Sequence, residues 1–156
     1  MSKQRVLILC TGNSARSQMA EGLLRHWAGD RLEVFSAGTR PVGLNANAVR
    51  AMAELGIDIS GHRSKPVEEF AGQRFDYVIT VCDHANESCP IFPGQGARIH
   101  QSFPDPASAP SERQEEAFRT VRDQMATWLG SFLATLERVA ASEEQRFDGS
   151  MQRDEL

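Results

Sequence analysis

The sequence predicts an α/β fold with three αβα layers, in which helices cover both faces of a four-stranded parallel sheet. Short branched apolar runs alternate along the chain with segments of helical period, which is typical of βαβ units. The predicted strands are residues 5–9, 32–37, 75–81 and 98–101. The predicted helices are residues 14–28, 45–55 and 111–141, with a further short helix that begins after Ser64. Ligands are expected beyond the carboxyl ends of these strands.

The first strand and helix follow from apolar patterning. Residues 5–9 are almost uninterruptedly apolar, which is typical of a parallel strand that is buried on both faces. The helix that follows repeats apolar residues at helical spacing, and Gly29 favours its termination. Its apolar face consists of Met19, Ala20, Leu23, Leu24 and Trp27.

Turn and cap signals define the remaining elements. Gly38 ends the second strand, and Ser64 is predicted to cap the short helix. The segment 82–96, which contains several prolines and glycines, is predicted to be a loop between the third and fourth strands. Ser111 and Gln114 match a capping box that would begin the last helix.

Length and charge narrow the class of protein. The 156 residues predict one catalytic domain, 1–141, followed by a polar and disordered tail, 142–156. The net charge of −4 argues against a nucleic-acid partner. No apolar run approaches the ~20 residues of a membrane span, and no signal peptide is evident. We therefore expect a cytoplasmic protein, without membrane association, that is a monomer.

Three cysteines cannot all pair within one chain, which argues against a static disulfide framework. They could be buried fillers, metal ligands or redox-active thiols. Cys10 and Cys82 both follow predicted strands, so they are expected at the same edge of the sheet.

The segment from Cys10 to Ser17 has the pattern of an oxyanion-binding loop between a strand and a helix. Backbone N–H groups and the helix dipole would bind a tetrahedral oxyanion, and Arg16 would clamp two of its oxygens. The same positive field would favour a Cys10 thiolate nucleophile, to which Ser17 could donate a hydrogen bond. The predicted oxyanion-binding residues are Thr11, Gly12, Asn13, Ser14, Ala15 and Arg16. The alternative is a buried strand end followed by a solvated arginine.

This strand–C-x5-R-S–helix pattern resembles the low-molecular-weight tyrosine phosphatases and the thioredoxin-coupled arsenate reductases that share their fold. The resemblance implies that Cys10 is the nucleophile and that Arg16 is the oxyanion clamp. It also matches Asp105, followed by Pro106, to the general acid of the family. The tyrosines that grip an aryl substrate in the phosphatases are missing after Pro106, and the one tyrosine of the chain is Tyr77. This difference favours a small inorganic oxyanion as substrate.

The segment from Cys82 to Cys89 resembles the redox loop of the thioredoxin-coupled arsenate reductases. After Cys10 attacks arsenate, Cys82 is the candidate thiol that attacks Cys10 and releases arsenite, and Cys89 is the candidate that then attacks Cys82. Thioredoxin, or a glutaredoxin-type donor, would reduce the resulting disulfide. A zinc site with His84 lacks standard spacing, so we expect no metal.

The redox loop must change shape during this relay. A helix from Cys82 to Cys89 would separate their Cα atoms by about 10 Å. A disulfide tolerates only about 4.4–6.8 Å. We therefore expect residues 82–96 to be mobile and to refold between redox states.

One departure from the family concerns potassium. Members with a monovalent-cation site resemble this chain at Asn13, Glu21 and Ser36, but they have an acidic residue where Lys65 stands. An ammonium cannot ligate potassium, although it could pair with Glu21. We expect no cofactor and no potassium dependence.

Three functions remain at this point. The first is a cytoplasmic arsenate reductase for arsenic detoxification, with weak phosphatase side activity. The second is a tyrosine phosphatase whose additional cysteines protect Cys10 from oxidation. The third is a non-catalytic oxyanion or redox sensor, against which the general acid Asp105 argues.

Overall fold

A computed structural model describes residues 3–90, 92–93 and 96–154, with the backbone alone for 146–154. The strands are β1 (Gln4–Cys10), β2 (Leu32–Gly38), β3 (Tyr77–Thr80) and β4 (Ala97–His100). The helices are α1 (Arg16–Ala28), α2 (Ala46–Ala53), α3 (Asp83–Ser88) and α4 (Gln114–Asp154). Short 3-10 turns occupy Val67–Phe70, Pro106–Ser108 and Ser111–Arg113.

The four strands pair in parallel in the order β2-β1-β3-β4, which confirms the predicted sheet. The four apolar residues 6–9 of the central strand β1 are fully buried, so both faces of the sheet are covered. At the carboxyl ends, the register aligns Cys10 with Gly38 and Thr80 with His100. The candidate site residues on different strands therefore meet at one edge.

The core lies between this sheet and the longer helices. Helix α1 buries Met19, Leu23 and Leu24, as its apolar spacing predicts. Helix α4 contributes Phe118 and Met125 to the same core. Because α1 packs against β2 and α4, the start of α1 has a fixed position relative to the strand ends.

The start of α2 is confirmed by its cap. The Asn45 side chain accepts hydrogen bonds from the backbone N–H groups of Asn47 and Ala48, as expected for an N-cap residue.

Two predicted caps are wrong, because their side chains find other partners. The Ser64 hydroxyl donates to the Gly12 carbonyl at 3.1 Å and accepts from the Gly43 N–H at 3.2 Å. The Gln114 amide donates to the carbonyls of Ala107 and Ala109. Ser64 thus joins the loops that contain Gly12 and Gly43. Gln114 joins the 3-10 turn Pro106–Ser108 to α4.

Helix α3 lies inside the segment predicted to be a loop. Ala85 is its one buried residue, so its sequence carries no apolar period from which a helix could be read. Asp83 in its first turn favours helix formation through the dipole. Residues 91, 94 and 95 of the same predicted loop lie outside the described residues.

Helix α4 continues past residue 141, where the sequence predicted a helix end and a disordered tail. Glutamate, glutamine and arginine dominate residues 143–146, and these residues favour helices without presenting an apolar face. Residues 155–156 of the predicted tail lie outside the described residues. No described helix, α4 included, has an apolar stretch long enough to cross a membrane.

Candidate active site

Cys10 is the last residue of β1 and is almost completely buried, with 2% of its surface exposed. Its Sγ lies 2.8 Å from the Ser17 hydroxyl and accepts the Asn13 backbone N–H at 3.2 Å. Residues 10–16, which we call the oxyanion loop, therefore wrap around the sulfur and lead directly into α1.

The carbonyl groups of the oxyanion loop point away from its interior. They accept backbone N–H groups from the segment that follows β2 at 2.8–3.2 Å. The pairs are Thr39 to Cys10, Arg40 to Thr11, Val42 to Gly12 and Asn45 to Ser14. The Asn13 carbonyl accepts from the Gln18 side chain instead. The loop therefore turns its N–H groups inward, as an anion site requires.

Several of these N–H groups have no protein acceptor within the part of the chain that the structure describes. Among the described residues, no backbone acceptor is recorded for the N–H groups of Thr11, Gly12, Ser14, Ala15 and Arg16. They surround the start of α1, where the helix dipole adds positive potential. The predicted oxyanion-binding residues thus form one cradle above Cys10.

Asn13 fixes the shape of the loop. Its φ of 45° lies in the left-handed region, and its side chain is fully buried. The side-chain oxygen accepts the Lys65 backbone N–H at 2.9 Å, which orients the amide nitrogen toward Ser17 and Ser36. Because Asn13 donates to the Ser17 oxygen, the Ser17 proton is available to Cys10. The Cys10 sulfur can therefore accept hydrogen bonds from both the Ser17 hydroxyl and the Asn13 backbone.

Gly38 is a site residue that the sequence did not identify as one. A Cβ at this position would lie 2.6 Å from the Thr11 carbonyl oxygen and 2.8 Å from the Asn13 nitrogen. Only glycine therefore allows β2 to approach the oxyanion loop this closely. The one signal in the sequence was a glycine at the end of the predicted second strand.

A buried polar network lies beneath the loop. The Ser36 hydroxyl donates to Glu21 at 2.7 Å, and Glu21 is 3% exposed. The Lys65 ammonium lies 3.8 Å from Glu21, and His62 lies 3.3 Å from it. Burial lowers the pKa values of Lys65 and His62, and the Glu21 charge partly offsets both shifts. The predicted pairing of Lys65 with Glu21 is thus present in the structure.

Arg16 begins α1 and reaches from the oxyanion loop to the segment after β4. Its guanidinium donates to the Phe103 carbonyl at 3.0 Å. Within the described part of the chain, this is the one hydrogen bond of its side chain, so its other donors are available for an anion.

Asp105 lies two residues beyond this contact and is exposed to solvent. Its carboxylate accepts the Ala107 N–H at 3.0 Å and the Ser108 hydroxyl at 3.3 Å. The structure therefore brings its loop to the cradle through Arg16, while the carboxylate itself caps the 3-10 turn Pro106–Ser108.

Cys82 follows β3 and reaches the oxyanion loop. Its Sγ lies 3.2 Å from the Thr11 hydroxyl, and the residue is 5% exposed. A second buried thiol thus lies beside the cradle that holds Cys10, as the two strand ends predicted. Either sulfur is a free thiol in this structure.

Cys89 lies at the other end of α3 and is partly exposed. Burial raises the pKa of its thiol, and the positive charge of Arg98 partly offsets that shift. Its Sγ donates to the Pro90 carbonyl at 3.4 Å. Among the described residues, no cluster of His, Cys, Asp or Glu side chains is arranged to hold a metal ion.

The arrangement can therefore bind a tetrahedral anion, attack it with a thiolate and offer that thiolate's sulfur to a second thiol.

Comparison with known proteins agrees with this chemistry. A family model described as low molecular weight phosphotyrosine protein phosphatase matches residues 5–142. An arsenate reductase from Halalkalibacterium halodurans is 44% identical over 137 residues, which are 86% of this chain and 99% of that protein.

Two solved structures extend the comparison. An arsenate reductase in its phosphate-binding state superposes with a TM-score of 0.69 at 31% identity, over 85% of this chain and 98% of that one. A thioredoxin-dependent arsenate reductase from Corynebacterium glutamicum gives 0.63 at 27% identity, over 85% of this chain and 63% of that one.

Proposed function

We propose that this chain, which belongs to the low molecular weight phosphotyrosine protein phosphatase family and within it to the arsenate reductases, reduces arsenate to arsenite. The observation that carries the proposal is the 3.2 Å contact between Thr11 and Cys82. It means that the loop that binds the oxyanion also holds a second thiol, which a simple phosphatase does not require.

In the first step, the loop N–H groups and Arg16 bind arsenate, and the Cys10 thiolate attacks arsenic. Ser17 stabilises the thiolate before attack. Asp105 supplies the proton with which an arsenate oxygen leaves as water. The product is a covalent adduct between Cys10 and As(V).

In the second step, the Cys82 thiolate attacks the Cys10 sulfur. The sulfur–arsenic bond breaks, its electron pair stays on arsenic, and arsenite leaves. Cys89 then attacks Cys82, which frees Cys10 and leaves a Cys82–Cys89 disulfide. An external dithiol supplies two electrons and two protons to regenerate both thiols.

A similar protein supports the choice of reductant, and the redox state of thiols supports the choice of cellular setting. Thioredoxin is the proposed dithiol, because a solved structure similar to this chain is a thioredoxin-dependent arsenate reductase. A glutaredoxin-type donor is the alternative. The proposed setting is the cytoplasm, where thiols are kept reduced, and the proposed role is arsenic detoxification by a monomer.

Tyrosine phosphatase activity is the weaker candidate. The one tyrosine of the chain, Tyr77, packs its ring against Phe132 with centroids 5.4 Å apart. It is therefore not available to grip an aryl substrate at the loop, although the same nucleophile supports weak hydrolysis of aryl phosphates.

A coupled assay tests the proposal. Arsenate, thioredoxin, thioredoxin reductase and NADPH are supplied, and NADPH consumption is followed in wild type, Cys82→Ser and Cys89→Ser. The relay predicts that each variant loses multiple turnover and keeps aryl-phosphate hydrolysis. Full turnover in both variants would contradict the relay.

The relay also requires the segment 82–96 to refold between redox states. Amide exchange measured on reduced and oxidised protein is expected to differ in this segment. Equal protection in both states would contradict the proposed refolding.

We further propose that the enzyme needs no metal or potassium. The Lys65 ammonium lies 3.8 Å from Glu21 and donates to the Arg63 carbonyl at 3.1 Å, so it supplies a positive charge beneath the loop. Turnover is expected to be equal in potassium and sodium salts at matched ionic strength. A clear rise in potassium would contradict this.

A further inference from the structure

We propose that His100 is a positioning residue that keeps α3 helical in the reduced enzyme and thereby makes the Cys82–Cys89 disulfide easier to reduce. The proposal rests on the relay described above, because it concerns the equilibrium of the last disulfide in that relay. Its basis is a chain of hydrogen bonds that joins α3 to β3 and β4.

Helix α3 has little else to hold it. It has six residues, and Ala85 alone among them is buried. A helix of this length is not stable by itself in water, so its contacts with the sheet decide whether it forms. Polar contacts are therefore a large share of what keeps it folded.

The polar contacts link two residues of α3 to side chains on β3 and β4. His100 Nε2 lies 2.8 Å from the Asp83 carboxylate, and His100 Nδ1 lies 2.7 Å from the Thr80 hydroxyl. The Thr80 hydroxyl donates to the Asn86 side-chain oxygen at 3.4 Å. Asp83 and Asn86 are one turn apart, so His100 and Thr80 bridge successive turns of α3.

The strands place these groups by their register. Thr80 and His100 are direct partners in the parallel pairing of β3 with β4, so their side chains share one face of the sheet. Arg98, two residues earlier on β4, shares that face and donates to the Asn86 carbonyl at 3.4 Å. The edge strand thus contacts α3 at both turns.

Forming the Cys82–Cys89 disulfide must break this arrangement. The helix separates the two Cα atoms by about 10 Å, and a disulfide requires them within about 7 Å. Because Asp83 is adjacent to Cys82, unwinding separates it from His100. A contact present only in the reduced form favours that form, and it therefore favours transfer of two electrons from an external dithiol to the disulfide.

The test uses Asp83→Asn, His100→Phe and the double variant, which form a double-mutant cycle. Glu87→Gln controls for the loss of one negative charge from the same helix, while the cycle itself separates the His100 contact from the effect of Asp83 on the helix dipole. Among the described residues, Glu87 makes no recorded hydrogen bond or ion pair. Should His100→Phe fold poorly, His100→Ala takes its place in the cycle, because only the cycle separates the His100 contact from the effect of Asp83 on the helix dipole.

Two readouts are measured without arsenate. The first is amide exchange of residues 83–88 in the reduced protein. The second is the equilibrium constant of the Cys82–Cys89 disulfide against dithiothreitol, determined in Cys10→Ser so that this pair alone is titrated.

Each single variant is expected to speed exchange of α3 amides about threefold, as for the loss of one partly exposed hydrogen bond. Each should also favour the disulfide about threefold, which lowers its reduction potential by about 14 mV. The double variant should do little more than either single variant, and Glu87→Gln should resemble wild type.

Additive effects in the cycle, or wild-type exchange in both variants, would overturn the role of His100. Amide exchange in the reduced protein does not depend on the relay, so unchanged exchange in the variants would contradict only the role of His100. A Cys82–Cys89 disulfide that never forms in the wild-type chain would instead overturn the proposed function, and with it the redox consequence drawn for His100.

Discussion

The oxyanion loop and α3 are neighbours at one edge of the sheet, but they are held very differently. In the loop, each carbonyl from Cys10 to Ser14 has a hydrogen-bond partner, and the Asn13 side chain is completely buried. Helix α3 buries one alanine and depends on a few polar contacts at its surface. The first region is rigidly determined and the second is loosely attached.

The difference matches what each region has to do. An oxyanion site stabilises charge best when its donors are fixed before the reaction begins. A thiol relay requires two sulfurs to come together from the ends of a helix, so that helix must open at low cost. Substitutions in the two regions should therefore have effects of different kind and size.

The largest effect is expected for Arg16→Lys. A lysine cannot clamp two oxygens in the planar geometry of a guanidinium, so kcat/KM for aryl-phosphate hydrolysis and for arsenate reduction should both fall about 100- to 1000-fold. Steady-state kinetics with both substrates measures this, with Arg74→Lys as the control. A loss confined to one substrate would argue against a shared cradle.

Two asparagines allow a direct comparison of stability. Asn13→Ala leaves several buried partners unsatisfied and removes support for a left-handed backbone, so the free energy of unfolding should fall by about 2–4 kcal/mol. Asn86→Ala on exposed α3 should cost less than about 1 kcal/mol. Urea denaturation monitored by tryptophan fluorescence measures both, and equal losses would refute the contrast between the regions.

Gly38→Ala tests the close approach of β2 to the oxyanion loop. The added Cβ would press on the Thr11 carbonyl. We expect Gly38→Ala to lower the free energy of unfolding by about 1–3 kcal/mol and to lower kcat. In Gly61→Ala the added Cβ meets open space, so both quantities should change less. Equal behaviour of the two variants would show that the approach is unimportant.

The smallest effect is expected for Arg98→Gln, and it concerns pH. Arg98 lowers the pKa of Cys89 against the rise that burial causes, so its removal should raise that pKa further. Less thiolate is then present at neutral pH, and the pH profile for Cys82–Cys89 formation should move to higher pH. Stopped-flow trapping of free thiols measures the profile, and a shift to lower pH would contradict the electrostatic role of Arg98.

The same contrast explains which features the sequence predicts well. The oxyanion loop is encoded locally, because Cys10, Arg16 and Ser17 are close in sequence and come directly after the apolar residues 6–9. The sequence also predicts that Cys82 comes near Cys10, because both end parallel strands. Fold class and nucleophile are therefore accessible without a structure.

The features that sequence reasoning missed depend on contacts between distant residues. Gly38 is essential to the loop because of atoms that lie more than twenty positions earlier in the chain. The sequence predicts a loop where α3 lies, because α3 has no apolar face of its own. Its contacts come instead from Thr80 on β3 and His100 on β4. The sequence predicts Ser64 as a helix cap, because it does not reveal that the Gly12 carbonyl lies within hydrogen-bond distance of the Ser64 hydroxyl.

The complete pairing of the loop carbonyls has a calorimetric consequence. A cradle whose shape exists before the anion arrives orders little and buries little additional apolar surface on binding, so phosphate binding should show a heat capacity change near zero. If oxidation of the Cys82–Cys89 pair unwinds α3, as the proposed relay requires, it changes the buried surface of the helix and should carry a measurable heat capacity change. The enthalpy of the first half of the catalytic cycle would then vary little with temperature, whereas that of the second half would vary measurably.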